Sequence, residues 1–139
     1  NKNTKLNLIN NDLINGLICT NTTISRDNLL QKPVKNSWKL HEKGGLSGPP
    51  LRYKANELIK KVYEFTEGKI TIIGVGGVSN GKDAFEKISL GASLIQLYTS
   101  LIFKGPGVVF KILKELSLGL ERNDLDSVND LVGRNISYD

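Results

Sequence analysis

One cysteine, one histidine and no methionine occur among the 139 residues. A single thiol excludes an internal disulfide and any cysteine metal cluster. Cys19 sits inside the apolar run GLIC, where a buried, inert thiol is expected. His41 lies in a polar stretch, so neither a histidine-based catalytic role nor a metal site is expected. Without methionine the chain lacks a natural beginning, and it is expected to be a fragment or processed piece of a longer protein. Long apolar runs are also missing. The longest, near Leu94–Phe103, is ended by Lys104, Gly105 and Pro106, well short of the roughly 17–25 residues that span a bilayer. The opening residues do not read as a signal peptide. The net charge is a modest +5. Its loosest cluster, Lys32, Lys35, Lys39 and Lys43, lacks the interleaved aromatics of a stacking platform. It reads as a solvated loop, and no nucleic-acid partner is expected.

What is present alternates between two periodicities. Residues 1–15 are asparagine-rich, with Leu6, Leu8, Ile9, Leu13 and Ile14 at helical spacing. Leu17–Thr20 reads as a strand. Residues 24–43 form a long polar stretch that reads as a loop or lid. GGLSGPPLR, from Gly44 to Arg52, is too rich in glycine and proline for regular structure. A helix is predicted over Ala55–Thr66, with Leu58, Ile59, Val62 and Phe65 on one face and Gly68 as its stop. Ile70–Val75 is a β-branched run of the kind that is buried on both faces. Asn80 and Asp83 predict a helix cap, and Gly91 closes that helix. Ser93–Tyr98 is a further buried strand. Pro106 opens a helix striped by Val109, Ile112, Leu113, Leu116 and Leu120, and a short last helix is predicted over about Leu125–Val132.

Strands that read as doubly buried, joined by helices, imply parallel pairing with right-handed crossovers. The fold class is therefore α/β: either three units of a (β/α)8 barrel or part of an open doubly wound sheet. A complete barrel needs about 250 residues, so three units would be its closing arc. In both architectures ligands meet the carboxyl ends of the strands. Here those ends are TNTT (Thr20–Thr23), GVGGVSNG (Gly74–Gly81) and QLYTS (Gln96–Ser100). All carry polar groups or bare backbone behind apolar strands. In a barrel, Gly76–Gly77 and Tyr98–Thr99 would be the two loops that hold phosphate. A Cβ at Gly77 is expected to crowd such a phosphate.

TNTT, GGLSGPPLR, IIGVGGVSNGKDAFEKISLGAS and QLYTSLIFKGP, in this order and spacing, resemble the C-terminal part of class 2 dihydroorotate dehydrogenase. The resemblance runs from about Gly16 to Gly133 and favours the barrel, as the C-terminal three units of a TIM-type (β/α)8 barrel over residues 1–139. It implies FMN-dependent oxidation of dihydroorotate to orotate in pyrimidine synthesis, with electrons passed to a membrane quinone. It also implies FMN contacts at Thr20, Ser47, Gly48, Gly76, Gly77, Tyr98 and Thr99. Asn21 and Thr22 would bind the pyrimidine, and Tyr98, Leu101 and Pro106 would border the quinone tunnel. The family's catalytic serine and its membrane-binding helices lie upstream, so no catalytic residue is expected in this chain. The implied place is the mitochondrial inner membrane in a eukaryote or the cytoplasmic membrane in a bacterium.

Two other readings use the same residues: another FMN or sugar-phosphate barrel, and a non-catalytic phosphate-binding module. The coding sequence upstream of Asn1 separates them. It is expected to encode a serine-bearing loop flanked by asparagines and a strand ending in lysine. Sequencing that finds neither would favour the non-catalytic module.

Overall fold

The computed structural model describes residues 14–26 and 42–136. The helix expected in residues 1–15 falls almost wholly outside this range, as do most of the loop at 24–43, His41, Lys32, Lys35 and Lys39. The described elements are β1 (Gly16–Cys19), α1 (Arg52–Thr66), β2 (Thr71–Val75), α2 (Gly81–Ser89), β3 (Leu94–Gln96), α3 (Thr99–Lys104) and α4 (Gly107–Glu121). Two 3-10 turns, Pro49–Leu51 and Val128–Leu131, precede α1 and follow α4.

The three strands form one parallel sheet in the order β1-β2-β3. Each is followed by helix, the β/α alternation of a TIM-type barrel. Ile72 and Gly74 of β2 face the helices, level with Leu17 and Cys19 of β1. Behind the sheet, Ile59, Ile70, Ile72, Cys19 and Ala92 make one buried cluster. Val78, Ala84, Val108 and Ile112 make a second between α2 and α4. Ile59 and Ile72 are fully buried, which stabilises the fold by about 1.5–3 kcal/mol each.

Local chemistry sets the element boundaries. Asn80 Oδ1 accepts a 2.9 Å bond from the Asp83 amide and caps α2, as its sequence predicts. Glu115 Oε2 on α4 accepts from the Gly81 amide at 2.6 Å, so a second orphan donor of α2 is satisfied from a neighbouring helix. Gly91, with φ 110°, turns the chain out of α2. A Cβ there would come within 2.4 Å of the Tyr63 ring.

Four expectations need correction. Helix α1 begins at Arg52 rather than Ala55, because the proline-led 3-10 turn at Pro49–Leu51 runs straight into it. Part of GGLSGPPLR is therefore regular. The predicted last helix is only the turn Val128–Leu131, held by a reciprocal Ser127–Asp130 capping box. Leu131 is buried against Ile88 and Leu116, so the apolar signal was real but served a strap and not a helix. Helix α3 is formed by residues that read as a strand end and a loop.

The fourth correction concerns the sheet. The sequence predicts strands buried on both faces, yet in none of the three is the face opposite the helices buried. Ile18 is 64% exposed and Leu94 56% exposed. By register both share a face with Ile73, opposite the helices. In a TIM-type barrel that face points inward and is covered by the other strands. In the complete polypeptide, Leu94→Ala is expected to cost about 2–5 kcal/mol, as for a buried leucine. Denaturant unfolding measures it; a change within about 0.5 kcal/mol would mean that the face stays open.

Candidate functional site

The polar ends of the three strands converge on one cavity of about 640 Å³, within the range of small-molecule sites. Thr20, Asn21 and Thr22 line it from β1, Gly76 and Gly77 from β2, and Tyr98 and Thr99 from β3. Ser47 and Gly48 complete the wall. Two residues expected near a quinone lie elsewhere: Leu101 and Pro106 are solvent-exposed at the α3–α4 corner and do not line this cavity. Their neighbour Phe103 does line it.

Each segment is held by a specific contact. The Thr20 amide donates to Val75 O at 3.1 Å and carries the β1–β2 ladder one residue beyond β1. Thr23 and Leu46 then exchange two backbone bonds, of 3.1 and 2.7 Å, as an antiparallel bridge. This bridge brings Ser47 and Gly48 beside Thr20–Thr22, although more than twenty residues separate them. Arg26 reinforces it, donating to Thr23 O and Gly44 O. Thr99 Oγ1 donates to Ser47 Oγ at 2.9 Å and ties the same loop to the end of β3.

Asn21 Oδ1 accepts from the Thr22 amide at 2.8 Å. Its acceptor is thus used locally, and the amide's Nδ2 donors have no partner among the described residues. An asparagine side chain carries both donor and acceptor, and in this arrangement its donors are the free groups.

The glycine turn after β2 is held from behind. Gly76 and Gly77 have φ of 110° and 74°. A Cβ on Gly77 would lie 2.6–2.8 Å from Arg52 Cβ, Cα and N. A side chain here collides with the start of α1, before any crowding of a phosphate is considered. Asp83 is 2% exposed and accepts from Ser79 N and Oγ, both at 3.0 Å, and from Arg52. That carboxylate fixes the end of the turn to α1.

Lys87 was not singled out in the sequence, and it bears on this geometry. Its side chain is fully buried and donates to Asn56 Oδ1 at 2.5 Å, joining α2 to α1 behind β2. A Cβ on Gly74 would come within 2.7 Å of Lys87 Cδ, so the glycine gives the lysine its room. A signal was available. Lys87 lies on the stripe of Ala84 and Ile88, where an apolar residue belongs. Desolvation lowers its pKa to about 8, against the opposing pull of Glu86 and Asp83. Burial likewise raises the Cys19 thiol, which suits an inert core residue. Among the described residues no group of histidine, cysteine or carboxylate side chains could hold a metal, and no helix is long and apolar enough to cross a membrane.

Comparison with known proteins adds a family. The model of the family described as Dihydroorotate dehydrogenase matches residues 1–120. A dihydroorotate dehydrogenase (quinone) from Trichodesmium erythraeum is 45% identical over 130 residues, covering 92% of this chain and 34% of the relative. The mitochondrial dihydroorotate dehydrogenase (quinone) of Mus musculus is 50% identical over 120 residues, covering 86% of this chain and 29% of the relative. The crystal structure of ligand-free DHODH from Eimeria tenella superposes with a TM-score of 0.85 at 34% identity, covering 99% of this chain and 36% of that one. The chain thus spans about a third of the length of these relatives.

The buried lysine gives a pH signature. A lowered lysine pKa means that the native state binds fewer protons than the unfolded state between about pH 8 and the ordinary value of 10.5. Across that window this group's contribution to stability rises with pH, and below it the cost of charging Lys87 is present in full. Lys87→Met is expected to flatten this part of the stability profile, read by urea unfolding in a series of buffers. An unchanged slope would show that Lys87 titrates normally.

Proposed function

Because this chain belongs to the dihydroorotate dehydrogenase family, we propose that the complete polypeptide oxidises dihydroorotate to orotate with FMN and passes the electrons to a quinone. One observation carries the reading. Thr20–Thr22, Ser47–Gly48, Gly76–Gly77 and Tyr98–Thr99 come from four separate segments and line a single cavity. The residues fit the flavin. The cavity combines apolar wall from Ile18, Leu51 and Val75 with hydroxyl, amide and backbone donors.

FMN supplies the hydride-accepting ring, and the chain supplies position and hydrogen bonds. Backbone amides at Gly76–Gly77 and Tyr98–Thr99 are assigned to its phosphate. Neutral main-chain donors bind an anion without ordering long side chains. Thr20, Ser47 and Gly48 are assigned to the rest of the nucleotide. The Asn21 amide and Thr22 hydroxyl are assigned to the carbonyls and carboxylate of the substrate. The Asn21 Nδ2 donors suit those acceptors, since the Thr22 amide already holds Oδ1. Each such bond, lost inside a closed site, costs about 1–3 kcal/mol. No serine of this chain is assigned as base; that role falls to a residue outside the 139. The reading also carries the quinone contacts of Tyr98, Leu101 and Pro106. It places the polypeptide peripherally on the mitochondrial inner membrane or the bacterial cytoplasmic membrane, reached through an N-terminal segment.

The purified complete polypeptide is expected to show flavin absorbance and dihydroorotate-dependent quinone reduction; material with neither would reject this function. Asn21→Ala is expected to raise the KM for dihydroorotate about tenfold or more with flavin content unchanged. Equal loss of substrate use and flavin would remove Asn21 from the substrate contact.

A further inference from the structure

Resting on the dihydroorotate reading above, we infer that Arg26 is a positioning residue. It clasps the pyrimidine-facing segment Asn21–Thr22 to the flavin-facing segment Ser47–Gly48, and so sets how the substrate lies against the ring. Arg26 does not itself line the cavity. It acts on two segments that do.

These segments leave the cavity side by side. Thr23 and Leu46 join them through one isolated antiparallel bridge. Next to the bridge, Thr22 is packed against Gly45, where a Cβ would overlap Thr22 Oγ1 and Cβ. Glycine at this place is what lets the two segments approach so closely. A bridge of one residue pair is a weak tether, since each neutral bond replaces one made with water.

Arg26 adds to that tether. The Ser25 amide donates to Thr23 Oγ1 at 3.2 Å, a local turn that brings the chain back toward the bridge. Arg26 Nη1 then donates to Thr23 O at 2.9 Å, within its own segment. Nη2 crosses to the other segment, donating to Gly44 O at 2.5 Å and to Glu42 O at 3.4 Å. Thr23 O also accepts from the Leu46 amide at 2.7 Å, so one carbonyl serves both the bridge and the clasp. The acceptors are neutral carbonyls on two segments, reached by two nitrogens of one planar group. A lysine would bring the same charge without the fixed fork. Bonds from a charged donor are the stronger kind, so the clasp adds more than a second neutral pair would.

Asn21 and Thr22 immediately precede the bridge on one side, and Ser47 and Gly48 immediately follow it on the other. A shift at the bridge therefore reaches both with little chain between. Hydride transfer is sensitive to such shifts: a displacement of about 1 Å can cost about a hundredfold in rate. The loops assigned to the phosphate, Gly76–Gly77 and Tyr98–Thr99, lie outside the clasp. Retention of flavin and alignment of substrate should thus respond differently to its loss.

The test uses the complete polypeptide, with flavin content, urea unfolding and the two half-reactions measured separately. In Arg26→Ala, reduction of bound FMN by dihydroorotate is expected to slow about tenfold to a hundredfold. The KM for dihydroorotate is expected to rise about tenfold. Flavin content and reoxidation by quinone should be unchanged. Arg26→Lys is expected to recover only part of the loss. Gly45→Ala disturbs the same junction from the other segment and should reproduce the selective slowing of FMN reduction; it decides if neither Arg26 variant folds. Unaltered reduction by dihydroorotate in the variants overturns the clasp. So does a fall in flavin content and stability in step with activity, which marks a purely structural bond. Should the unaltered polypeptide fail to reduce its flavin with dihydroorotate, the functional reading fails first, and the clasp with it.

Discussion

Parallel pairing leaves the carboxyl ends of β1, β2 and β3 on one edge of the sheet. Cys19 lies beside Gly74, and Val75 beside Gln96, so the chain leaves all three strands at nearly one level. Nothing about Thr20–Thr22, Gly76–Gly77 or Tyr98–Thr99 would matter if these segments emerged at different heights. The register is set behind the sheet, where Ile72 and Cys19 must reach the same buried cluster as Ile59. A slip of one residue would turn that apolar set away from the helices. The position of the site is therefore decided by packing on the face opposite the one that opens toward it.

Packing alone would leave the loops free to swing, and a second set of contacts restricts them. The Thr23–Leu46 bridge, the Thr99–Ser47 bond and the Lys104–Ser79 bond tie neighbouring loops to one another. Arg52–Asp83 and Lys87–Asn56 tie α1 to α2 beneath them. Each is a modest bond, about 0.5–1.5 kcal/mol or somewhat more where a charge takes part. Their sum favours a cavity that is shaped before anything enters it. Charge is placed consistently with that purpose. Asp83 is turned away and neutralised by Arg52, and Lys87 meets a neutral amide behind the sheet.

Much of this was legible in the residues. The β-branched run at Ile70–Val75 forms a strand, Asn80 caps α2, and the glycines at 76, 77 and 91 take the positive φ that turns at those places require. The convergence of TNTT with Gly76–Gly77 and Tyr98 follows from parallel topology alone. What stayed hidden depends on contacts between distant segments. GLIC and SLIQ read the same whether one face or both are covered, so the bare face of Ile18 and Leu94 carries no local mark. Helix α3 has no side-chain cap to announce it. Thr99 pairs with Ser47 only because the start of α3 lies against a loop far earlier in the chain. Lys87 escapes notice for the opposite reason: a lysine ordinarily faces water, and only its place between Ala84 and Ile88 argues for burial.

The two faces of the sheet divide the work of binding. The helical side holds three buried apolar clusters among the described residues. The glycine turn is tied to that side through Arg52, Asp83 and Lys104. The inner side is apolar and open. Ile18 and Tyr98, at 64% and 72% exposure, border the cavity where a flat ring would lie. A ring resting there gains little until other barrel strands cover it, because stacking and desolvation both need a second wall. On the flavin reading proposed above, anchoring of the phosphate would depend on loops within these residues, and alignment of the ring on closure of the barrel around them.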